Sequence, residues 1–160
     1  MRDISIMIDD VKFNYRVGVL IENTDEILVE CCPEFDFVVL PGGRVKTLEN
    51  SIEALQREIK EEMGVKIEEK ELEKKAIIEN FFEFEKTKCH ELFFIYKLNI
   101  NYEDKRFKNV RKNIDSKTNY YKWVKKDKLK GVKLLPNVLI DVIKSNEFEI
   151  ISLNALKKIV

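Results

Sequence analysis

The chain has 160 residues, of which 44% are hydrophobic and 36% are charged, which predicts one compact domain over residues 1–160. These values exclude a disordered, collagen-like or mucin-like protein. Basic and acidic residues balance at 29 each, so the protein has no net charge that would attract nucleic acid. We therefore expect no specific nucleic-acid partner, and any anion-binding site must be local.

No segment of the sequence has the pattern of an export signal or a membrane span. Acidic residues interrupt the N-terminal segment before an apolar core forms. The longest apolar runs, at 37–40 and 92–96, are far shorter than the ~20 residues that cross a bilayer. Cys31, Cys32 and Cys89 lack CxxC spacing and are odd in number, which predicts reduced thiols. We therefore expect a cytoplasmic protein with no membrane partner.

The first part of the chain is patterned as strands. Segments 13–22 and 26–32 are rich in β-branched and aromatic residues, and the turn-forming residues 23–25 between them predict a β-hairpin. The apolar stretch 35–40 then runs into Pro-Gly-Gly at 41–43, which predicts a turn or loop.

The strongest helix signal in the sequence covers residues 50–63. Its apolar positions are spaced by three, four and four residues, which predicts an amphipathic helix with one face in the core. Gly64 is a typical residue for ending such a helix. The apolar positions are Ile52, Leu55, Ile59 and Met63.

Downstream of this helix, strand-like and helix-like segments alternate. Strands on both sides of one central helix predict an α+β domain in which a helix packs against a sheet. The predicted elements are a strand at 65–67, an antiparallel strand pair at 76–84 and 91–100 with its turn near residues 87 and 88, a strand at 120–124, a helix from Pro136 to about Lys144, and a short helix or strand at 151–159.

The polar face of the predicted helix carries three glutamates, Glu58, Glu61 and Glu62, at spacings i, i+3 and i+4. This face lies about 120° around the helix from the apolar stripe, so the carboxylates stay accessible together. Like charges at these spacings destabilise a helix by a few tenths of a kcal/mol per pair, and a bound divalent cation would offset that cost. The alternative is a solvated surface on which Arg57 and Glu61 form an ordinary ion pair.

The residues just before the helix suit phosphate chemistry. Gly42 and Gly43 allow the main chain to approach a metal–phosphate complex, and Arg44 and Lys46 are cations that would bind phosphate oxygens. With Glu49 at the helix entrance, this arrangement is what metal-assisted phosphoryl chemistry requires.

Residues 43–65, GRVKTLENSIEALQREIKEEMGV, resemble the Nudix box, Gx5Ex7REUxEExGU, in which U is aliphatic. Every fixed position of the box matches. At an unspecified position, Leu48 stands where the family often has glycine. The flanks are similar too, with LPGG before the box and a tryptophan-containing strand and a helix after it. The matching positions are Gly43, Glu49, Arg57, Glu58, Ile59, Glu61, Glu62, Gly64 and Val65.

The resemblance implies a Nudix-type fold, a mixed β-sheet sandwiched between helices. It also implies a hydrolase that cleaves the pyrophosphate linkage of a nucleoside diphosphate joined to another group, with Mg²⁺ as cofactor and Mn²⁺ as a substitute. Glu58, Glu61 and Glu62 are then the catalytic, metal-binding carboxylates, with the Gly42 carbonyl as a further ligand and Glu58 as a candidate base. Supporting roles fall to Gly43, Glu49, Arg57 and Gly64.

Residues outside the box supply further candidates. Glu91 is the first candidate for a general base, ahead of Glu83 and Glu85, and its neighbour His90 is a candidate acid or base. Phe35 and Phe82 are candidates for stacking on a nucleobase, as Arg44 and Lys46 are for binding phosphate. The alternatives are an exposed strand residue for Glu91, a plain strand histidine for His90 and core packing for the aromatic residues.

The substrate is the least defined part of the prediction. ADP-ribose-type members of the family often carry a proline some fifteen residues beyond the box, and dinucleoside-polyphosphate types tend to have a tyrosine nearby. Here that neighbourhood reads Glu79, Asn80, Phe81, Phe82, with neither marker. A nucleoside triphosphate pyrophosphatase is left by elimination. Two alternatives stay open, a Nudix module that binds a nucleotide without cleaving it and a relative of prenyl diphosphate isomerases. The oligomeric state, including a homodimer, is also open.

Overall fold

The computed structural model describes residues 1–101 and 103–156. Within them, nine strands form one mixed sheet. The strands are β1 (Ser5–Ile8), β2 (Val11–Glu22), β3 (Glu26–Cys31), β4 (Val38–Val39), β5 (Gly42–Arg44), β6 (Glu73–Phe84), β7 (Thr87–Asn99), β8 (Tyr120–Lys125) and β9 (Glu149–Asn154). The helices are α1 (Ser51–Met63), α2 (Lys105–Lys108) and α3 (Leu139–Lys144), and 3₁₀ turns cover Glu69–Glu71 and Lys126–Gly131.

Two long parallel strands, β2 and β7, form the centre of the sheet. The main path is β4-β3-β2-β7-β6-β9, while β1 and β5 also pair with β2, and β8 pairs with β3. The β2–β7 and β6–β9 pairs are parallel, and the other strand pairs are antiparallel. Strands β1 and β9 hydrogen-bond into this same sheet. One domain over residues 1–160 stays a prediction.

The sheet has a hydrophobic core on each face, because successive side chains of a strand point to opposite sides. On β2, Val17 and Val19 pack with Leu55 and Ile59 of α1, whereas Leu20 packs with residues of α3 in the second core. The mixed sheet is therefore sandwiched between helices, which confirms the predicted α+β fold class.

Helix α1 agrees with its prediction. The Asn50 side chain accepts hydrogen bonds from the amides of Ile52 and Glu53, and Gly64 ends the helix in a left-handed conformation with φ of 70°. Leu55 and Ile59 are fully buried, and the rest of the apolar stripe packs in the same core. Packing and capping together fix the rotation of α1. The expectation that its three glutamates stay accessible together holds for Glu61, whose side chain is 43% exposed. Glu58 is only 13% exposed, because Gly43 packs against its carboxylate, and Glu62 is half-buried beside Tyr121.

The predicted strand pairs are present, with small shifts at their turns. Strands β2 and β3 form the first hairpin, and the Asn23 side chain accepts hydrogen bonds from two amides in its turn. Strands β6 and β7 form the second pair, and strand β8 matches the segment predicted at 120–124. The β6–β7 turn falls at Glu85 and Lys86, with φ of 49° and 65°, so Thr87 already belongs to β7.

Three segments differ from their predictions. The turn or loop predicted at 41–43 runs into strand β5, in which Gly42 and Gly43 pair with β2. The strand predicted at 65–67 is wrong: Val65 and Ile67 are buried beside α1, but the Ile67 carbonyl accepts its hydrogen bond from the Gln56 side chain instead of a strand. The helix predicted from Pro136 begins at Leu139, because the Pro136 and Asn137 carbonyls accept i+3 bonds of a tighter turn.

Other segments were open or missing in the sequence reading. The tail forms strand β9 at Glu149–Asn154, and the last part of the 151–159 prediction lies outside the described residues. Strand β1 and the one-turn helix α2 were not predicted. Within the described ranges, no helix combines the length and hydrophobicity that crossing a membrane takes. Cys31, Cys32 and Cys89 are free thiols.

Leu48 adopts a left-handed conformation, with φ of 64°, and its side chain is 99% exposed. A non-glycine residue pays about 1–2 kcal/mol for this conformation, and glycine loses about 0.5–1 kcal/mol of chain entropy on folding. We therefore predict that Leu48→Gly raises the free energy of unfolding by about 0.5–1 kcal/mol in a denaturant titration. Leu48→Ala keeps the strain and serves as the control, with a change below about 0.5 kcal/mol. A Gly variant that is less stable than the wild type would contradict this account.

Candidate functional site

The guanidinium of Arg57 organises the polar face of α1. Its Nε and NH2 atoms donate to the two oxygens of Glu49 at 2.8 and 2.9 Å, and NH2 also donates to the main-chain carbonyl of Arg44 at 3.0 Å. Its NH1 atom donates to Glu58 at 2.7 Å and to Glu61 at 3.1 Å. All five N–H donors of a guanidinium are thus used. The predicted pairing of Glu49 with Arg57 is present, and it joins α1 to the loop before it.

These contacts set opposite pKa shifts on the carboxylates around Arg57. Hydrogen bonds from Arg57 lower the pKa of Glu49, and the interaction with Glu49 raises the pKa of Arg57. The pKa of Glu58 is raised, because burial outweighs the hydrogen bond and charge of Arg57. Glu49 therefore neutralises Arg57, whereas burial makes the ionised form of Glu58 less favourable.

Gly42 and Gly43 bring strand β5 close to its neighbours. Gly42 has φ of 147°, and a Cβ there would collide with the carbonyl oxygen of Val17. At Gly43, a Cβ would collide with the carboxyl carbon and both oxygens of Glu58. The glycine at this position of the box is therefore what gives the Glu58 carboxylate its place against the main chain.

Glu62 lies one turn after Glu58 and has different partners. The Tyr121 hydroxyl donates to its Oε2 atom at 3.0 Å. Burial and the nearby charge of Glu30 raise the pKa of Glu62 to about 7, although Tyr121 and Asn113 donate hydrogen bonds that lower it. Glu30 is itself only 6% exposed. Within residues 1–101 and 103–156, no cationic side chain lies within 4.0 Å of the carboxylate of Glu30 or of Glu62.

The donor set suits a hard divalent cation, although the side chains do not converge in the arrangement of a metal site. Over the described part of the chain, no group of three or more His, Cys, Asp or Glu side chains is placed to hold a metal ion. Glu58 and Glu61 both contact Arg57, and Glu62 contacts Tyr121. Yet Glu58 and Glu62 are carboxylates on one helical face, burial raises the pKa of both, and Glu62 has no cationic partner in the described part of the chain. Oxygen ligands of this kind bind Mg²⁺. The residues therefore fit the ion, and the assignment of Glu58, Glu61, Glu62 and the Gly42 carbonyl as its ligands stays a prediction.

A cleft of about 860 Å³ lies on the opposite face of the sheet. Strand β5 contributes residues to both faces of the sheet. Gly43 pairs with Val17, which faces α1, and Arg44 pairs with Arg16, which faces the cleft. Arg16 and Arg44 are cross-strand neighbours that line the cleft together, which places two cations side by side. The lining also includes Lys12, Asn80, Phe82, Phe93 and Asn137.

Glu91 lines this cleft and does not lie with the glutamates of α1. It precedes Phe93 by two residues, and Phe93 belongs to the α3-side core, so both side chains face the cleft. Glu91 is 4% exposed, and its carboxylate lies 3.7 Å from Arg16. Glu83 and Glu85 line the same cleft, whereas His90 faces the other side between the rings of Phe13 and Phe81.

The candidates for substrate binding are spread over several places. Arg44 and Phe82 line the cleft, as expected for substrate contacts. Phe35 stacks on Phe37 at 5.1 Å, and it is Phe37 that lines the cleft. Lys46 lies by the helix entrance, where its amide donates to Glu49 at 2.9 Å. Substrate binding by these residues stays a prediction.

Sequence reasoning missed Glu30, Tyr121, Asn113, Asn119 and Arg16. One signal was available for Glu30: it alternates with Leu28 on β3, so it is an acidic residue at an inward-facing position of a strand. The others lie far from the box in sequence, and only strand pairing brings them to it.

The chain was compared with models of known protein families. A family model described as the NUDIX domain matches residues 12–142, so this chain belongs to the Nudix family. Members of this family are hydrolases that act on pyrophosphate bonds, and they generally use divalent metal ions. A sequence comparison with curated proteins found no match.

Solved structures share the fold. The MutT protein from Bacillus halodurans has a TM-score of 0.65 at 18% identity, covering 89% of this chain and 91% of that one. The MutT protein from Methanosarcina mazei Go1 has a TM-score of 0.57 at 23% identity, covering 86% and 94%. The C. elegans Ap4A hydrolase has a TM-score of 0.55 at 17% identity, covering 82% and 94%.

We predict that Gly43→Ala displaces the Glu58 carboxylate, because the new methyl group would occupy its position. The free energy of unfolding should fall by about 1–3 kcal/mol, as overpacking does elsewhere. The rise in melting temperature caused by Mg²⁺ should also shrink, because binding to the folded state is what stabilises it. Thermal unfolding with and without Mg²⁺ measures both effects.

Gly131→Ala is the matched control, since a Cβ at Gly131 meets nothing within 4 Å. It should preserve the melting temperature and the Mg²⁺ effect. If Gly43→Ala behaved in the same way, the contact between Gly43 and Glu58 would have no role in the site.

Proposed function

We propose that this protein is a divalent-metal-dependent hydrolase that cleaves the pyrophosphate linkage of a nucleoside diphosphate joined to another group. The observation that carries the proposal is the pair of half-buried carboxylates, Glu58 and Glu62, one helical turn apart beside the uncompensated charge of Glu30. Glu58 has Arg57 as a cationic partner, whereas Glu62 and Glu30 have none in the described part of the chain. Burying carboxylates without a cation is costly, and a divalent ion would reduce that cost.

The proposed ligands are Glu58, Glu61 and Glu62, with the carbonyl of Gly42. When bound, Mg²⁺ would acidify a water and neutralise charge on phosphate oxygens. The protein's own contribution is positional: Arg57 holds Glu58 and Glu61 against the loop, and Glu49 takes up the charge of Arg57. Since Glu61 is 43% exposed and contacts Arg57 at 3.1 Å, its side chain is the one most free to turn toward an ion.

The cleft supports a substrate with both anionic and aromatic parts. Arg16 and Arg44 would bind phosphate oxygens, and the ring of Phe82 offers a surface for a nucleobase. The cleft and the glutamates meet at β5, where Arg44 follows Gly43. A substrate lying over this strand would present its phosphates to both groups.

We propose Glu58 as the general base ahead of Glu91. Burial raises the pKa of the Glu58 carboxyl, which makes it a better proton acceptor than an exposed glutamate, and Glu58 lies on the same helical face as Glu62. Glu91 lies on the other face of the sheet with its carboxylate by Arg16, where it would orient that guanidinium. The free thiols fit a cytoplasmic enzyme, as in the sequence-based prediction.

Nucleoside triphosphates are the first substrates to test, because subfamily markers for ADP-ribose and dinucleoside polyphosphates are absent. A structural neighbour is named as an Ap4A hydrolase, so diadenosine tetraphosphate belongs in the panel. The rest of the panel is ADP-ribose, NADH and capped or triphosphorylated RNA, each with Mg²⁺ or Mn²⁺.

We predict turnover of at least one panel member, and a fall in kcat/KM of about 100-fold or more for Glu58→Gln and for Glu62→Gln. Glu79→Gln is the control, since Glu79 is an exposed acid on β6 that does not line the cleft. Release of phosphate or pyrophosphate measures the rates. Binding without turnover across the panel would instead indicate a nucleotide-binding module, and an isomerase assay tests the prenyl diphosphate alternative.

A further inference from the structure

The segment 113–121, which leads into strand β8, contacts both the side chain and the main-chain carbonyl of Glu62. Tyr121 donates its hydroxyl proton to Oε2 of Glu62 at 3.0 Å, and the Ile114 amide donates to the Glu62 carbonyl at 2.8 Å. Tyr121 is only 1% exposed, so its hydroxyl has little freedom to bond elsewhere. The last turn of α1 is thus docked onto a segment far away in sequence.

Glu30 belongs to the same arrangement. It is the direct cross-strand partner of Tyr121 in the β3–β8 pair, so the two side chains share a face of the sheet. The amide groups of Asn113 and Asn119 donate to its Oε1 atom at 2.9 and 2.8 Å. The side chain of Asn113 is also close enough to Glu62 to lower the pKa of that carboxyl.

The loop that carries these asparagines is braced by its own hydrogen bonds. The Asn113 side-chain carbonyl accepts from the amides of Asp115 and Ser116 at 2.9 and 3.2 Å. The Ser116 hydroxyl accepts from the Asn119 amide at 3.0 Å. Both asparagine side chains are therefore presented from a backbone of defined shape.

The donors in this arrangement are all neutral, in contrast to those on Glu58 and Glu61. Arg57 orients Glu58 and Glu61 and also cancels part of their charge. Tyr121 and the two asparagines orient Glu62 and Glu30 without cancelling charge. A purely structural anchor would be more stable with neutral or paired groups at these positions. A divalent cation bound between the two carboxylates would offset their repulsion, which explains why both negative charges are kept.

We propose that Tyr121, Asn113, Asn119 and Glu30 are positioning residues, which fix the orientation of Glu62 and keep its surroundings negative for a divalent cation. The proposal rests on the proposed function, in which Glu62 binds the metal. Glu30 acts through its charge and by accepting from Asn113 and Asn119, whereas Tyr121 donates to the Glu62 carboxylate directly. Partners of this kind usually change metal affinity by about 10- to 100-fold when they are removed.

The first test measures Mn²⁺ binding to the full chain without substrate, by titration calorimetry. Tyr121→Phe should weaken Mn²⁺ binding by about 10-fold or more, because Glu62 loses the donor that orients it. Tyr96→Phe is the matched control: Tyr96 is also buried in the α1-side core, but its hydroxyl bonds to Ser51 at 2.7 Å. This control should bind Mn²⁺ as the wild type does.

The second test separates the charge of Glu30 from its shape. Glu30→Gln keeps an oxygen to accept from Asn113 and Asn119 and removes the repulsion with Glu62. The metal-free protein should therefore melt at a higher temperature, while Mn²⁺ binds more weakly. A residue with only a structural role would not give these two opposite changes. A metal-free variant that melts lower, or one that binds Mn²⁺ with unchanged affinity, overturns the role of Glu30.

The outcomes also separate this proposal from the function on which it rests. If the wild type shows no Mn²⁺ binding that depends on Glu58 and Glu62, the proposed function fails and this inference fails with it. If the wild type binds Mn²⁺ but Tyr121→Phe and Tyr96→Phe bind equally well, only the positioning role fails.

Discussion

The rest of the site depends on one guanidinium, that of Arg57, and on the way its donors are shared. It joins the carboxylate of Glu49, a main-chain carbonyl of the preceding strand, and two further glutamates of its own helix. A half-buried ion pair of this kind adds little net stability, because desolvation offsets its attraction. Its value is positional. The fixed glutamate and arginine of the Nudix box are needed together because each satisfies the other's charge.

The helix consequently carries two kinds of acidic residue. Those near Arg57 are held by a cation, and Glu62, beyond its reach, is held by the neutral hydroxyl of Tyr121. Negative charge therefore increases toward the end of the helix that faces Glu30. Strand β5 connects this charged face with the arginine-lined cleft on the far side of the sheet. A phosphate chain and a divalent ion, which need opposite charges, thus have adjacent places in one fold.

The parts that were predictable from sequence are those set by local periodicity. The stripe and cap of α1 and the pairing of Arg57 with Glu49 follow from spacing within one short segment. The surroundings of Glu62 follow from β3–β8 pairing across the sheet, which no local pattern specifies. Val65 and Ile67 alternate like a strand because they pack under α1, and their pattern alone does not reveal that no strand pairs with them. Glu91 is buried, but successive side chains of β7 point to opposite faces of the sheet, so Glu91 faces the cleft instead of the glutamates of α1.

The central claim is that the carboxylates of Glu58 and Glu62 hold a divalent cation while Arg57 keeps its place on Glu49. Anomalous diffraction at the manganese edge, from crystals grown with Mn²⁺, tests it most directly. We predict an anomalous peak in contact with both carboxylates, at about 2.0–2.4 Å, with the Arg57–Glu49 pair intact. A peak bound elsewhere, or an empty helix face at saturating Mn²⁺, would contradict it.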